Sequence, residues 1–291
     1  MNDKTNVLVT GSDGFVGRQL VPYLAENGYK VMAASRSVSA FESPNVVAVS
    51  LADLSMPIDW QALLQQCDAV VHLAGIAHRF ARDNYYDRVN HRATAALARA
   101  AFHCGKHLVF ISSIAAQSGP FSDRELTEDD PPSPSSTYGR SKLAAEQAIK
   151  ASGTSFTILR PVVIHSEGGK GNFSTVHKIA RLPIPLPFGA LTARRSVLST
   201  RNFNSAVAVA LKNSSARGET FIVSDPTPQT LTEHIVDYRA ALGRPPWLIP
   251  IPESWIELSL AAIGQRAIWQ RIGCPLVAPP RKLLALGWKP S

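Results

Sequence analysis

The chain has 291 residues, 45% hydrophobic and 18% charged, with a formal net charge of +8, an ordinary globular composition with ample core. No apolar run approaches the roughly 18 residues of a spanning helix. Cys67, Cys104 and Cys274 lie far apart with no Cys-x-x-Cys or Cys/His ligand spacing, so no membrane partner, disulfide scaffold or metal site is expected, and the cysteines read as reduced, buried small hydrophobes.

The basic residues are scattered, without a run interleaved with aromatics. That favours an anionic cofactor and an anionic substrate over nucleic acid as the reason for the charge. No apolar leader precedes the first strand, and the expected location is cytoplasmic.

Residues 7–10 form a short apolar run, predicted as a strand. Gly11, Gly14 and Gly17 follow at a spacing of three, enclosing Asp13, Phe15 and Val16. An amphipathic stretch over 18–27 begins at once. Strand, tight turn and helix make a dinucleotide pyrophosphate site. The first glycine allows the sharp turn. The second lets backbone N–H groups approach a phosphate with no Cβ between them. The third lets the helix pack close to the sheet. The helix start adds free N–H donors and a positive dipole end.

Residues 30–35 read as the second strand. Where an acid would bond the adenosine ribose stands Arg36, whose planar fork suits a 2′-phosphate. This predicts NADP(H) over NAD(H). A third strand over 46–49 is followed by Asp53, placed either to accept from the adenine amino group or to cap a turn. A short helix covers 58–66. The fourth strand, 69–75, ends in small residues where backbone passes close to a cofactor. Its His72 reads as a packed strand histidine rather than a base.

A long alanine-rich helix is expected over 83–102, and a fifth strand over 107–111 runs into Ser112 and Ser113. The Ser-, Pro- and acid-rich loop 115–136 is long for a structureless connection and marks function or a lid. Tyr138 then opens a helix, and Lys142, four residues on, shares its face. A sixth strand over 154–159 closes at Arg160-Pro161. Beyond it the pattern turns to proline-rich joints and helices, with one more strand at 221–223.

The alternation of strands and helices predicts an α/β fold: a Rossmann doubly wound parallel sheet with a smaller C-terminal substrate-binding domain. Residues 1–165 would form the dinucleotide-binding domain, with a returning strand near 219–225. Residues 166–291 would form mainly the substrate-binding domain. A tyrosine and a lysine one helical turn apart, with a serine at a neighbouring strand end, make a proton-transfer site. A free phenol, with a pKa near 10, is a poor base at neutral pH, and a nearby ammonium and an oxidised nicotinamide ring favour its phenolate.

Thr10 to Gly17, His72-Leu73-Ala74-Gly75, Val89-Asn90, Ser112-Ser113, Tyr138-Gly139-Arg140-Ser141-Lys142 and Arg160-Pro161 together resemble the extended short-chain dehydrogenases/reductases of the NAD-dependent epimerase/dehydratase group, over essentially the whole chain. The resemblance implies catalytic roles for Ser113, Tyr138 and Lys142, with Ser112 the alternative serine. It implies cofactor contacts from the glycine turn, Arg36, Asp53, Leu54, Leu73, Ala74, Gly75, Asn90, Tyr138, Lys142, Pro161 and Val163. Asn172 and Arg195 resemble residues that hold a nucleotide sugar, Arg195 on its diphosphate.

The substrate side is similar to bacterial UDP-N-acetylhexosamine 4-epimerases and 4-keto-reductases of polysaccharide synthesis. The implied partners are a UDP-linked sugar and a second copy of the chain, paired through the alanine-rich helix and the helix from Tyr138. His165-Ser166-Glu167-Gly168 and Arg201 depart from the group's usual residues on that side. The competing reading is a non-catalytic NADP(H)-binding regulator on the same fold.

Overall fold

The structure, a computed structural model, describes residues 5–37, 41–77, 83–165 and 174–291. In chain order its elements are β1 (Asn6–Thr10), α1 (Gly17–Glu26), β2 (Lys30–Ser35), β3 (Val46–Ser50), α2 (Trp60–Leu64), β4 (Ala69–His72), α3 (Asp83–Tyr86), α4 (Ala93–His103), β5 (His107–Ile111), α5 (Thr137–Ala151), β6 (Phe156–Pro161) and β7 (Val163–His165). There follow α6 (Ser174–Ala180), β8 (Arg194–Arg195), β9 (Val197–Ser199), α7 (Thr200–Lys212), β10 (Glu219–Val223), β11 (Gln229–Thr230), α8 (Leu231–Ala241), α9 (Glu253–Ala262), α10 (Arg266–Ile272) and α11 (Arg281–Ala285).

Seven strands form one parallel sheet in the order β10-β6-β5-β4-β1-β2-β3. Its inner strands are continuous apolar runs because helices cover both faces. Successive side chains of β1 feed different cores. Val7 and Val9 pack with Leu20, Leu24 of α1 and Phe203 of α7. Leu8 packs with Trp60 of α2, Leu97 of α4 and Ile149 of α5. This is the doubly wound Rossmann arrangement expected from the strand–helix alternation. The order of the strands reverses between β1 and β4, and their carboxyl ends open the crevice where such folds take ligands.

Two small sheets, β7 with β9 and β8 with β11, lead into the C-terminal helices. There Leu186, Leu191, Ile235 and Trp269 make a third apolar cluster. The chain end is docked rather than loose: Trp288 is buried and its indole N–H donates to Ser205 Oγ at 2.9 Å.

Three expectations change. The single helix over 83–102 is α3, a π-helical turn at Asp87–Arg92, and α4. The segment 115–136 is strapped down: Ser122 and Leu126 donate backbone N–H groups to Pro275 and Val277, and Leu126 is buried in the main core. Of the cysteines only Cys67 is buried; Cys104 and Cys274 are half-buried, and all three are free. Among the described residues no helix is long and apolar enough to cross a membrane, and no cluster of three or more His, Cys, Asp or Glu could hold a metal ion.

Candidate active site

The glycine turn is built as its spacing requires. Gly11 has φ +74°, a conformation costly for any residue with a Cβ, and a Cβ there would lie 2.8 Å from the Ala74 nitrogen. At Gly14 the space is open apart from the Gly11 carbonyl oxygen at 3.2 Å. Gly17 differs from expectation. A Cβ there would overlap the Gly11 carbonyl oxygen and lie 2.8 Å from Ser12 Cα, so the close approach is between α1 and its own turn, not the sheet. Among the described residues the backbone N–H groups of Phe15 and Val16 donate to no carbonyl, leaving two donors for an anion at the helix start.

A cleft of about 430 Å3 opens over this turn. Gly11, Asp13, Gly14, Arg36, Asp53, Leu54, Leu73, Ala74 and Gly75, all named in the sequence analysis, line it together with Ser35, Ile76 and Tyr85. The cradle free of Cβ atoms, the two free N–H groups and the position at the strand ends fit a dinucleotide. Arg36 and Asp53, read separately from sequence, are ion-paired at 3.3 Å, with the Arg36 side chain 60% exposed. The Ser55 backbone N–H, then the Ser55 hydroxyl and Arg36, hold the Asp53 carboxyl below its usual range against a smaller opposing effect of burial. Asp13 accepts from the Ser37 hydroxyl at 3.1 Å across the cleft mouth.

The wall after β4 is fixed by a run of hydrogen bonds. The Ala74 N–H donates to Thr10 Oγ1 at 3.3 Å, and Thr10 Oγ1 lies 2.7 Å from His72 Nδ1. His72 Nε2 lies 3.0 Å from Thr94 Oγ1, which donates to the Asn90 carbonyl at 2.8 Å. Because Thr94 uses its proton on Asn90, the network assigns the His72 proton to Nε2 and makes Nδ1 the acceptor of Thr10. Burial, with Lys142 nearby, pushes this imidazole down to about 3, so it is neutral and structural, as expected.

The Asn90 side chain brackets the same loop. It accepts from the Ile76 N–H and donates to the Ile76 carbonyl, both at 2.9 Å, and donates to Ser141 Oγ at 3.0 Å. The Asn90 of the cofactor expectation therefore braces the cleft wall, and the π turn that carries it is the element the sequence pattern hides.

Beyond the residues that line the cleft lie Ser113, Tyr138 and Lys142, the residues expected to carry the chemistry. Ser136 caps α5 by accepting from the Gly139 N–H at 3.0 Å. A Cβ on Gly139 would overlap the Ala115 carbonyl oxygen, so this glycine lets the start of α5 press against the turn after β5. That contact brings Tyr138 beside Ser113, whose hydroxyl favours the ionised form of the phenol. Burial pushes the Tyr138 phenol up to about 12; the Ser113 hydroxyl opposes this, and Tyr86 adds to it.

Lys142, one turn along α5, is buried and donates to the Ile111 carbonyl at 2.8 Å, with its ammonium 4.6 Å from the Phe110 ring centre. Burial pushes it down to about 8 against the pull of Glu146. A Cβ on Gly75 would lie 3.6 Å from Lys142 Nζ, so the ammonium borders the cleft.

Ser112 turns the other way. It donates to Glu146 Oε1. Arg160 grips the same carboxylate with two donors, Nε at 3.0 Å and Nη2 at 2.6 Å, and bonds Gln117 at 2.9 Å. Arg160, Glu146, Gln117 and Ser112 are all buried. The sequence reading missed Glu146 and Gln117. Glu146 was reachable, since it lies four residues beyond Lys142 on the same helix face.

The remaining expected residues scatter. Pro161 ends β6, and Val163 pairs with Val197 in the small sheet that follows. Asn172 lies outside the described residues. Arg195 sits deeper than a loop arginine: its guanidinium donates to the carbonyls of Pro120 at 2.9 Å, Gln270 at 3.3 Å and Cys274. It ties the 115–136 segment to α10, and burial lowers its pKa to about 10.

A parallel sheet of this order, a glycine turn at its switch point and a tyrosine–lysine pair on the helix after β5 define a short-chain dehydrogenase/reductase fold. The model of the NAD dependent epimerase/dehydratase family matches residues 7–224, and the chain belongs to that family of enzymes. It is 30% identical over 98% of its length to a UDP-glucose 4-epimerase of Vibrio cholerae, 90% of which is covered. It is 29% identical, again over 98%, to a ceramide reductase of Caulobacter vibrioides, 86% of which is covered. Among solved structures, MoeE5 in complex with UDP-glucuronic acid and NAD superposes with a TM-score of 0.76 at 23% identity, over 98% of this chain and 94% of that one.

Proposed function

We propose that the protein moves hydride between a nicotinamide cofactor, NADP(H) ahead of NAD(H), and ring carbon C4 of a UDP-linked sugar. Residues 166–291 would hold most of the sugar nucleotide. The placement of Tyr138 and Lys142 one turn apart on α5, with Ser113 beside the phenol and the Lys142 ammonium bordering the cleft at Gly75, carries this reading. The bound cofactor supplies or accepts the hydride.

Tyr138 gives a proton to the C4 oxygen as a ketone is reduced, or takes one as the alcohol is oxidised. A phenol raised to about 12 is protonated at neutral pH, the form a keto sugar needs. Ser113 donates to the same substrate oxygen. Lys142 holds the ribose hydroxyls and supplies positive charge beside the phenol. Arg36 leaves Asp53 for a 2′-phosphate. An exposed pair of that kind contributes about 0–1 kcal/mol, so the exchange is cheap.

The names of the relatives, one an epimerase and one a reductase, leave both outcomes of a common keto intermediate. Arg36, through its fit to NADPH, favours the reductase, and two copies pairing through α4 and α5 fit the family's helices. The enzyme would work in the cytoplasm. The test incubates the protein with a 4-keto UDP-sugar and NADPH and follows nicotinamide absorbance. Stoichiometric loss supports the reductase. Interconversion of C4 epimers without net loss turns the reading to the epimerase. Neither product, with UDP-, dTDP- and GDP-sugars all tried, overturns both.

A further inference from the structure

The C-terminal helices carry a surface with the wrong polarity for water. On α9 the exposed residues are Ser254, Trp255, Leu258, Ser259, Ala261 and Ala262, spaced so as to share one broad face of the helix, and none is charged. Trp255 is 67% exposed and Leu258 71%. Ile256 and Leu260, on the opposite side, pack against the third apolar cluster. Both carboxylates of α9 point away from its outer face: Glu253 accepts from Thr192, and Glu257 is half-buried beside Ile256. The apolar face continues past the helix into Ile263, 69% exposed, and Ile268.

A second apolar edge roofs the same small core, where Leu182, Ile184, Trp247 and Ile249 are all exposed. Of the five tryptophans, the two that are exposed are both here.

Cations frame this surface. Arg181 and Arg244 flank the edge at Trp247, with the Arg244 guanidinium on the Arg181 carbonyl. Arg266 and Arg271 follow α9 and are in no ion pair among the described residues. From residue 244 to the C-terminus six basic side chains stand against two acidic ones. An uncharged helix face with exposed tryptophans and an arginine rim is the chemistry of an interfacial helix on an anionic bilayer. We infer that α9 and its flanking arginines seat the enzyme on a membrane surface rich in anionic phospholipid. The sequence offers no membrane partner because it has no spanning run, and an interfacial helix needs none. This proposal is independent of the sugar chemistry.

The test sediments the full chain with vesicles of phosphatidylcholine alone and of phosphatidylcholine mixed with phosphatidylglycerol. The chain should sediment with the anionic vesicles, with a blue shift of tryptophan emission, and release as salt rises. The double variant W255S/L258S should lose at least about tenfold in partitioning. R266Q/R271Q should lose binding to the anionic vesicles and its salt dependence. Circular dichroism confirms that both variants fold, since all four side chains are at the surface. No sedimentation with anionic vesicles, or partitioning unchanged in both variants, overturns the proposal. So does a dimer in size-exclusion chromatography that W255S/L258S abolishes, which would give the face to a second copy of the chain.

Discussion

The strand ends and the C-terminal helices both use arginines and polar side chains, but they hold them differently. At the strand ends Arg160 is one member of a closed, buried set with Glu146, Gln117 and Ser112. Its neighbours on α5 are the residues proposed for the chemistry. In the C-terminal part Arg195 and Arg239 are bound by backbone carbonyls: Arg195 by those of Pro120, Gln270 and Cys274, Arg239 by those of Ala180, Leu182, Ile184, Pro246 and Trp247. Carboxylate and hydroxyl partners hold α5 at a set distance from a strand end. Carbonyl partners only gather loops that have no sheet to join. The first region is organised for positioning and the second for enclosure.

The contrast breaks first at Tyr138. Tyr138→Phe should lower turnover by about 10²–10⁴-fold while leaving nicotinamide binding unchanged in a fluorescence titration; equal loss of both would mean that the ring organises the cleft instead. Arg160→Met leaves the Glu146 charge buried without its partner and should cost about 3–5 kcal/mol in urea unfolding. A loss below 1 kcal/mol would show that the strand-end set is not closed.

Gly139→Ala pushes the start of α5 off the Ala115 carbonyl and moves Tyr138 away from Ser113. On the order of 10²-fold should be lost in turnover, with about 1–3 kcal/mol of stability lost to the clash with backbone.

His72 sharpens the comparison through pH. Its folded-state value, about 3, lies below the ordinary 6.5, so in that window the unfolded chain takes up a proton that the folded chain refuses. Stability therefore falls as pH drops from about 6.5 towards 3, by up to about 1.4 kcal/mol per pH unit for one such group. His72→Gln should flatten the acid limb by that slope, and the rest from His234, also pushed to about 3, should remain. The smallest effect is expected at Arg36→Ala, which should weaken NADPH against NADH by about tenfold; an unchanged ratio of dissociation constants would remove the argument for NADP(H).

Much of the first region is legible in the sequence because each job is set by short-range geometry. A glycine at a fixed offset from a strand, or a lysine four residues beyond a tyrosine, carries its placement with it. That the sheet is parallel and covered on both faces follows from the alternation of strands and helices. The π turn is hidden because one extra residue in a helical turn leaves the apolar pattern almost unchanged. The bracing role of Asn90, which depends on that turn, is hidden with it. Arg195 is misleading for a different reason. Its carbonyl partners stand 75 or more residues away in sequence, and no local pattern announces them. Segment 115–136 looks free for the same reason: its straps come from Pro275 and Val277.

The run from the Ala74 N–H through Thr10, His72 and Thr94 to the Asn90 carbonyl has a single direction. Every donor in it points the same way, so no member can reverse alone. Replacing Thr94 by valine would remove the acceptor of the Nε2 proton and let the histidine change tautomer, whereas replacing Thr10 would take the acceptor from the Ala74 N–H and slacken the wall after β4. Only Thr10, His72 and Thr94 lend side chains to the run; Ala74 and Asn90 join it through backbone atoms, so three side chains from three separate stretches of the chain set its direction.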